Sequence, residues 1–230
     1  MVYRLLIFDL DNTIFDYDRA ENFALDKTFE QFGLQTSDEI KLSYREINEQ
    51  NWKLFEKGEI SSEKLRVKRF EDFGEAHGFR WNALDVSSAY LKNLGLGGFI
   101  IDGADELLLR LKADFMLAGL TNGISDVQRS RLANSPFEGI FNPIIISDEV
   151  GVAKPDPAIF ALLLEKAGVS NKTEVLMIGD SLSSDIAGAI ASGVPSCWYN
   201  PAGGEQPVNI KPDFIINSLS EVFEIVYREE

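Results

Sequence analysis

With 37 acidic against 22 basic residues and a formal net charge of −15, the chain carries no basic field to steer a polyanion, which argues against nucleic-acid polymers and anionic membranes as partners. Its 230 residues, 45% of them hydrophobic, suffice for one large α/β domain or for a core carrying a smaller inserted one. The single cysteine, Cys197, excludes an internal disulfide. No apolar stretch is long enough to span a bilayer, and Asp9 interrupts the first apolar run before it could serve as a signal peptide, so a soluble, cytoplasmic protein is expected.

The first predicted element is a buried strand near 3–8, built on Leu5-Leu6-Ile7-Phe8, and it runs directly into Asp9-Leu10-Asp11-Asn12-Thr13. From residue 18 to about 94 the texture changes to a charged, aromatic-rich sequence of helical period. There Leu54, Phe55, Leu65, Phe70 and Phe73 read as apolar faces of amphipathic helices. Gly95-Leu96-Gly97-Gly98 closes this region and reads as a hinge. Strands are then expected near 115–120, 144–147, 174–178, 195–199 and 213–216, alternating with helices near 103–113, 125–134, 157–167, 184–191 and 218–228. That alternation predicts a parallel α/β sheet. The expected organisation is a Rossmann-like core of residues 1–17 and 98–230, interrupted after its first strand by a helical insert, 18–97.

Chemistry-bearing residues fall at the ends of these strands. Asp9, Thr121 (followed by Asn122-Gly123) and Asp180 (after Gly179) each stand at the carboxyl end of a different predicted strand, the edge at which open α/β sheets bind ligands. Alternation along a strand would let Asp9 and Asp11 face the same way. Lys154 sits in Ala153-Lys154-Pro155-Asp156-Pro157 ahead of a helix beginning near Pro157, and Asp185 follows Asp180 by five residues. Asp9, Asp11, Asp180 and Asp185 with Lys154 sum formally to −3. Such a cluster is repulsive unless a hard divalent cation with oxygen ligands joins it, Mg²⁺ above all.

In this order and spacing, Asp9-x-Asp11-x-Thr13, Thr121, Lys154 and Gly179-Asp180 with Asp185 resemble the four signature motifs of the haloacid dehalogenase superfamily. The resemblance implies a Rossmann-like sheet with a helical cap, and the acid at Asp11 implies phosphoryl transfer in place of dehalogenation. By that resemblance Asp9 is the nucleophile and Asp11 the general acid and base. Mg²⁺ is held by Asp9, the main-chain carbonyl of Asp11 and Asp180, with Asp185 direct or one shell out. Thr121, the Asn122 main chain and Lys154 bind the phosphoryl group, Lys154 also acting in catalysis.

Finer segments are similar to the YjjG-type pyrimidine 5′-nucleotidases: Glu149-Val150-Gly151-Val152-Ala153-Lys154-Pro155, Val175-Leu176-Met177-Ile178-Gly179-Asp180, Ser184-Asp185-Ile186, and Cys197-Trp198-Tyr199-Asn200 with Glu205-Gln206-Pro207. In the insert, Trp52, Phe55, Gly58, Ile60 and Ser61 are similar in spacing. This branch implies a small phosphorylated metabolite, a pyrimidine nucleoside 5′-monophosphate, as partner. Sugar-phosphate or phosphoglycolate phosphatase, phosphosugar mutase and an inactive binding protein on the same fold remain the alternatives.

Other residues carry plainer readings. Trp52 and Phe55 are expected as core aromatics ahead of base-stacking platforms. Phe15 and Tyr17 fit either hinge packing or substrate contact. His77, the only histidine, reads as solvated or capping, and Cys197 as a small buried residue. The end Arg228-Glu229-Glu230 reads as a frayed helix end.

Overall fold

The computed structural model describes residues 3–205 and 208–228; Gln206-Pro207 and Glu229-Glu230, parts of two segments singled out above, lie outside the described residues. Six strands, β1 (Leu5–Phe8), β2 (Met116–Thr121), β3 (Ile144–Ile146), β4 (Val175–Gly179), β5 (Ser196–Tyr199) and β6 (Phe214–Ile216), form one sheet in the order β3-β2-β1-β4-β5-β6. Every pairing is parallel. Successive residues of β1 face opposite sides. Leu6 and Phe8 join one core with Leu107, Leu111 and Val222, while Leu5 and Ile7 join the other with Ile159, Phe160 and Leu163. A sheet covered on both faces explains why its strands read as continuous apolar runs without alternation. The covering helices include α5 (Ala104–Leu111), α8 (Pro157–Ala167), α9 (Ala187–Ser192) and α10 (Val222–Val226), with α6 (Ser125–Ala133) and the short α7 (Ser147–Val150) between them in sequence.

The chain divides into two compact units. One, residues 1–16, 99–125 and 132–230, contains the sheet; the other comprises Tyr17–Gly98 with Asp126–Arg131. The second unit is helical: α1 (Tyr17–Gln31), α2 (Asp38–Glu56), α3 (Ser62–His77) and α4 (Ala83–Gly95). Ser37, Ser61 and Asn82 cap α2, α3 and α4 with side-chain acceptors, which satisfies amide groups that a helix start leaves orphaned. Tyr44, Leu65, Phe70, Phe73 and Tyr90 are fully buried inside it. No helix among the described residues is long and apolar enough to cross a membrane.

Two expectations need correction. The helix expected at 184–191 begins as a turn of π-helix, Leu182–Ile186, before α9, because Ser181 and Asp185 bond the turn locally. The helix expected at 218–228 is a 3₁₀ turn, Leu219–Glu221, leading into the five-residue α10. The glycines of 95–98 adopt no left-handed backbone. Their smallness serves packing: a Cβ on Gly97 would stand 2.7 Å from that of Ala20, and one on Gly95 would stand 3.2 Å from Ser130 Oγ.

Candidate active site

The register sets Phe8 of β1 level with Gly119 of β2 and with Ile178 of β4. The residues that follow therefore emerge together at one sheet edge. This is also where the connections switch sides, since β2 and β3 lie to one side of β1 and β4 to β6 on the other, leaving a crevice at the carboxyl ends. Asp9 is held there by its own amide, which donates to Ile178 O at 2.9 Å. Beyond it the chain turns sharply. Asn12 adopts φ +57°, the amide of Asn12 donates to Phe15 O at 2.7 Å, and those of Ile14 and Phe15 donate to Leu10 O. Asparagine is among the few residues that tolerate this backbone conformation. The turn corrects the strand-alternation argument for Asp9 and Asp11: β1 ends at Phe8 and Asp11 pairs locally with Phe15.

Lys154 is the centre of the cluster. Although 1% exposed, its ammonium donates to Asp9 Oδ1 at 2.6 Å, Asp185 Oδ1 at 2.6 Å and Leu120 O at 2.7 Å, so each of its three hydrogens has an acceptor. Asn122 fixes the main chain around it: the Lys154 amide donates to Asn122 Oδ1 and Asn122 Nδ2 donates to Lys154 O, both at 2.8 Å. The sequence assigned Asn122 only a main-chain role. Its side chain proves to be a brace, a role that needs two segments 32 residues apart to meet and so leaves no local signal.

The second half of the cluster follows β4. The Ser181 amide donates to Asp185 Oδ2 at 3.0 Å, Trp198 Nε1 donates to Asp180 O at 2.8 Å, and Thr13 Oγ1 donates to Asp180 Oδ1 at 3.4 Å. Carboxylate oxygens of Asp9, Asp180 and Asp185 lie within 4.8 Å of one another. Among the described residues Asp11 is outside that carboxylate set, its expected metal ligand being a main-chain oxygen. Thr121, the last residue of β2, is 1% exposed at the same edge.

Burial pushes Asp9 well above the ordinary carboxylate range, with Lys154 opposing and Asp185, Asp180 and Asp11 reinforcing. Burial, then Asp185, pushes Asp180 up to about 7. For Lys154, burial disfavours the cation, but Asp185 and Asp9 outweigh it and raise its pKa. Three acids against one lysine leave excess negative charge, and an all-oxygen donor set suits a hard divalent cation such as Mg²⁺.

Gly179 is required by this crowding. A Cβ there would overlap the Asp185 carboxylate. Gly179→Ala is expected to displace Asp185 and to lower stability by about 1–3 kcal/mol, the usual range for overpacking. Urea unfolding with unchanged midpoint would contradict it.

The remaining singled-out residues sort by burial. Phe15 is core, 5.9 Å from Phe137. Tyr17 Oη donates to Glu21 Oε1 at 3.2 Å. His77 Nε2 lies 2.8 Å from Ser43 Oγ and its ring stacks on Phe79. Cys197 is buried, its thiol pushed up to about 12 by burial first and then by Glu221. Trp52 and Phe55 are only half-buried, in an edge-to-face pair at 5.6 Å.

Comparison with known proteins agrees with this architecture. The haloacid dehalogenase-like hydrolase family model matches residues 3–193. The chain is 32% identical to the pyrimidine 5′-nucleotidase YjjG of Escherichia coli over 228 residues, covering 99% of this chain and 100% of that one. It is also 32% identical to the pyrimidine 5′-nucleotidase PynA of Streptococcus pneumoniae, covering 97% and 95%. The crystal structure of the HAD-hydrolase YfnB from Bacillus subtilis, described as bound to magnesium, superposes with a TM-score of 0.92 at 32% identity, covering 99% of this chain and all of that one.

Proposed function

Because the chain belongs to the haloacid dehalogenase-like hydrolase family, we propose that it is a Mg²⁺-dependent phosphomonoester hydrolase acting on pyrimidine nucleoside 5′-monophosphates. The observation that carries the chemistry is the Lys154 ammonium bonded at once to Asp9 and Asp185, beside Asp180, at the carboxyl edge of the sheet. Lys154 pairs with Asp9 and Asp185 at the same 2.6 Å, and the choice of Asp9 as the attacking carboxylate rests on its place in the first motif after β1. The substrate class rests on the relatives YjjG and PynA, which the chain matches end to end.

In this mechanism a carboxylate oxygen of Asp9 attacks phosphorus, an Asp9–phosphate bond forms, and the bond to the ester oxygen breaks. Asp11 gives that leaving oxygen its proton. It then takes one from the water that attacks the phosphoryl group, releasing phosphate and restoring Asp9. Lys154 offsets charge on Asp9 and on the transferring oxygens, while Thr121 and the Asn122 amide orient the phosphoryl group. Asp9, Asp180, Asp185 and the Asp11 carbonyl would hold Mg²⁺, which would supply charge neutralisation at the phosphoryl group.

Phosphate release from a panel of nucleoside monophosphates, sugar phosphates and phosphoglycolate, in Mg²⁺ or EDTA, tests the assignment. Preference for UMP, dUMP or dTMP that EDTA abolishes is the expected result. Preference for sugar phosphates would keep the mechanism and overturn the substrate. No turnover of any ester would overturn both.

A further inference from the structure

A buried tryptophan of β5 has no part in the chemistry above. Trp198 is 6% exposed and stands level with Gly179, the last residue of β4. Its neighbours Cys197 and Tyr199 enter the core that holds Leu6 and Phe8. Alternation along a strand sends Trp198 to the opposite face, yet among the described residues it joins neither apolar core. Its indole N–H can only donate, and a buried donor left unmet is costly. The acceptor it meets is the main-chain oxygen of Asp180, at 2.8 Å.

That oxygen belongs to the peptide group joining Asp180 to Ser181. The opposite end of the same group, the Ser181 amide, donates to Asp185 Oδ2 at 3.0 Å. A peptide group is planar, so bonds at both ends fix its rotation. The orientation of this one plane sets how the chain leaves Asp180 and where the Ser181 amide meets the Asp185 carboxylate. Asp180 and Asp185 are two of the three acids whose oxygens lie within 4.8 Å of one another. The side chain of Asp180 is held less firmly: Thr13 Oγ1 stands 3.4 Å from Asp180 Oδ1, beyond the usual ~2.5–3.0 Å of a hydroxyl bond. The main-chain clamp is therefore the stronger restraint on Asp180.

Resting on the Mg²⁺-dependent reading of this cluster, we infer that Trp198 is a positioning residue for the metal site. Its indole N–H holds the 180–181 peptide so that the Asp180 and Asp185 carboxylates are presented together to the cation.

Trp198→Phe removes the N–H and keeps an aromatic ring, and Mg²⁺ titrations without substrate, followed by ¹H–¹⁵N NMR, give the metal affinity directly. The expected result is a Kd for Mg²⁺ at least tenfold higher than in wild type, since losing a group that holds a metal ligand usually costs ~10–100-fold. Turnover at limiting Mg²⁺ should fall and recover as Mg²⁺ is raised. A tryptophan that only filled space would lower Tm and leave the affinity alone, so a folded variant whose Kd rises less than threefold overturns the inference. If the variant does not fold, the wild type decides. Its Trp198 indole peak, one of three tryptophan indole signals, should shift in step with Mg²⁺ binding, and a peak unmoved at saturation overturns the inference. A wild type that binds Mg²⁺ while either test fails leaves the metal-dependent reading standing. A wild type that binds no Mg²⁺ overturns both.

Discussion

Asp9→Asn is expected to reduce kcat on the preferred ester by at least about 10³-fold, the scale seen when a covalent nucleophile is removed. The substitution conserves shape and hydrogen-bonding reach, so the turn at Asn12 and the Asp9 amide bond to Ile178 O should persist. An amide cannot form the acyl-phosphate bond. Fold integrity is checked by circular dichroism and the chemistry by acid-quench labelling with a ³²P-substrate, which should trap phosphoprotein in wild type alone. Residual turnover within tenfold of wild type would remove Asp9 from the role of nucleophile and point to direct attack by water.

Lys154→Met should damage both activity and stability. The lysine neutralises two acids at once, with Asp9 and Asp185 each at 2.6 Å from its nitrogen. Breaking a buried ion pair from one side costs about 3–5 kcal/mol, and loss of a preorganised charge at the reacting group costs about 10²-fold or more in kcat.

The stability loss has a sign in pH. Asp9 already has a raised pKa from burial, and Lys154 is what opposes the rise. A carboxyl whose folded pKa lies above its unfolded value contributes stability below the unfolded value and loses it as pH climbs through the folded one. Without Lys154 that rise is larger, so the variant's deficit relative to wild type should widen from pH 5 to pH 8 in EDTA. Urea unfolding at the two pH values measures it. A deficit that narrows with pH would mean that the acids are held apart by something other than the lysine.

Much of the fold was legible because local rules operate there. Apolar runs such as Leu5–Phe8 and Val175–Ile178, too short for helices and bounded by polar or glycine residues, read as strands covered on both faces, and the helical period of residues 18–94 has no competing strand pattern. The elements that were misplaced, 182–186 and 219–221, are those where serine and acid side chains bond the nearby main chain and override helical spacing.

The candidate site divides the same way. Residue type and order alone singled out Asp9, Asp11, Thr121, Lys154, Asp180 and Asp185, because acids and a lysine at strand ends are expensive and visible. That Lys154 bridges Asp9 and Asp185 across 145 and 31 residues, that Asn122 braces it, that Gly179 makes room for Asp185, and that Trp198 bonds the Asp180 main chain were decided only in three dimensions. Hydrogen bonds and close packing between distant segments depend on sheet register and helix docking, and no local pattern in the chain encodes those distances.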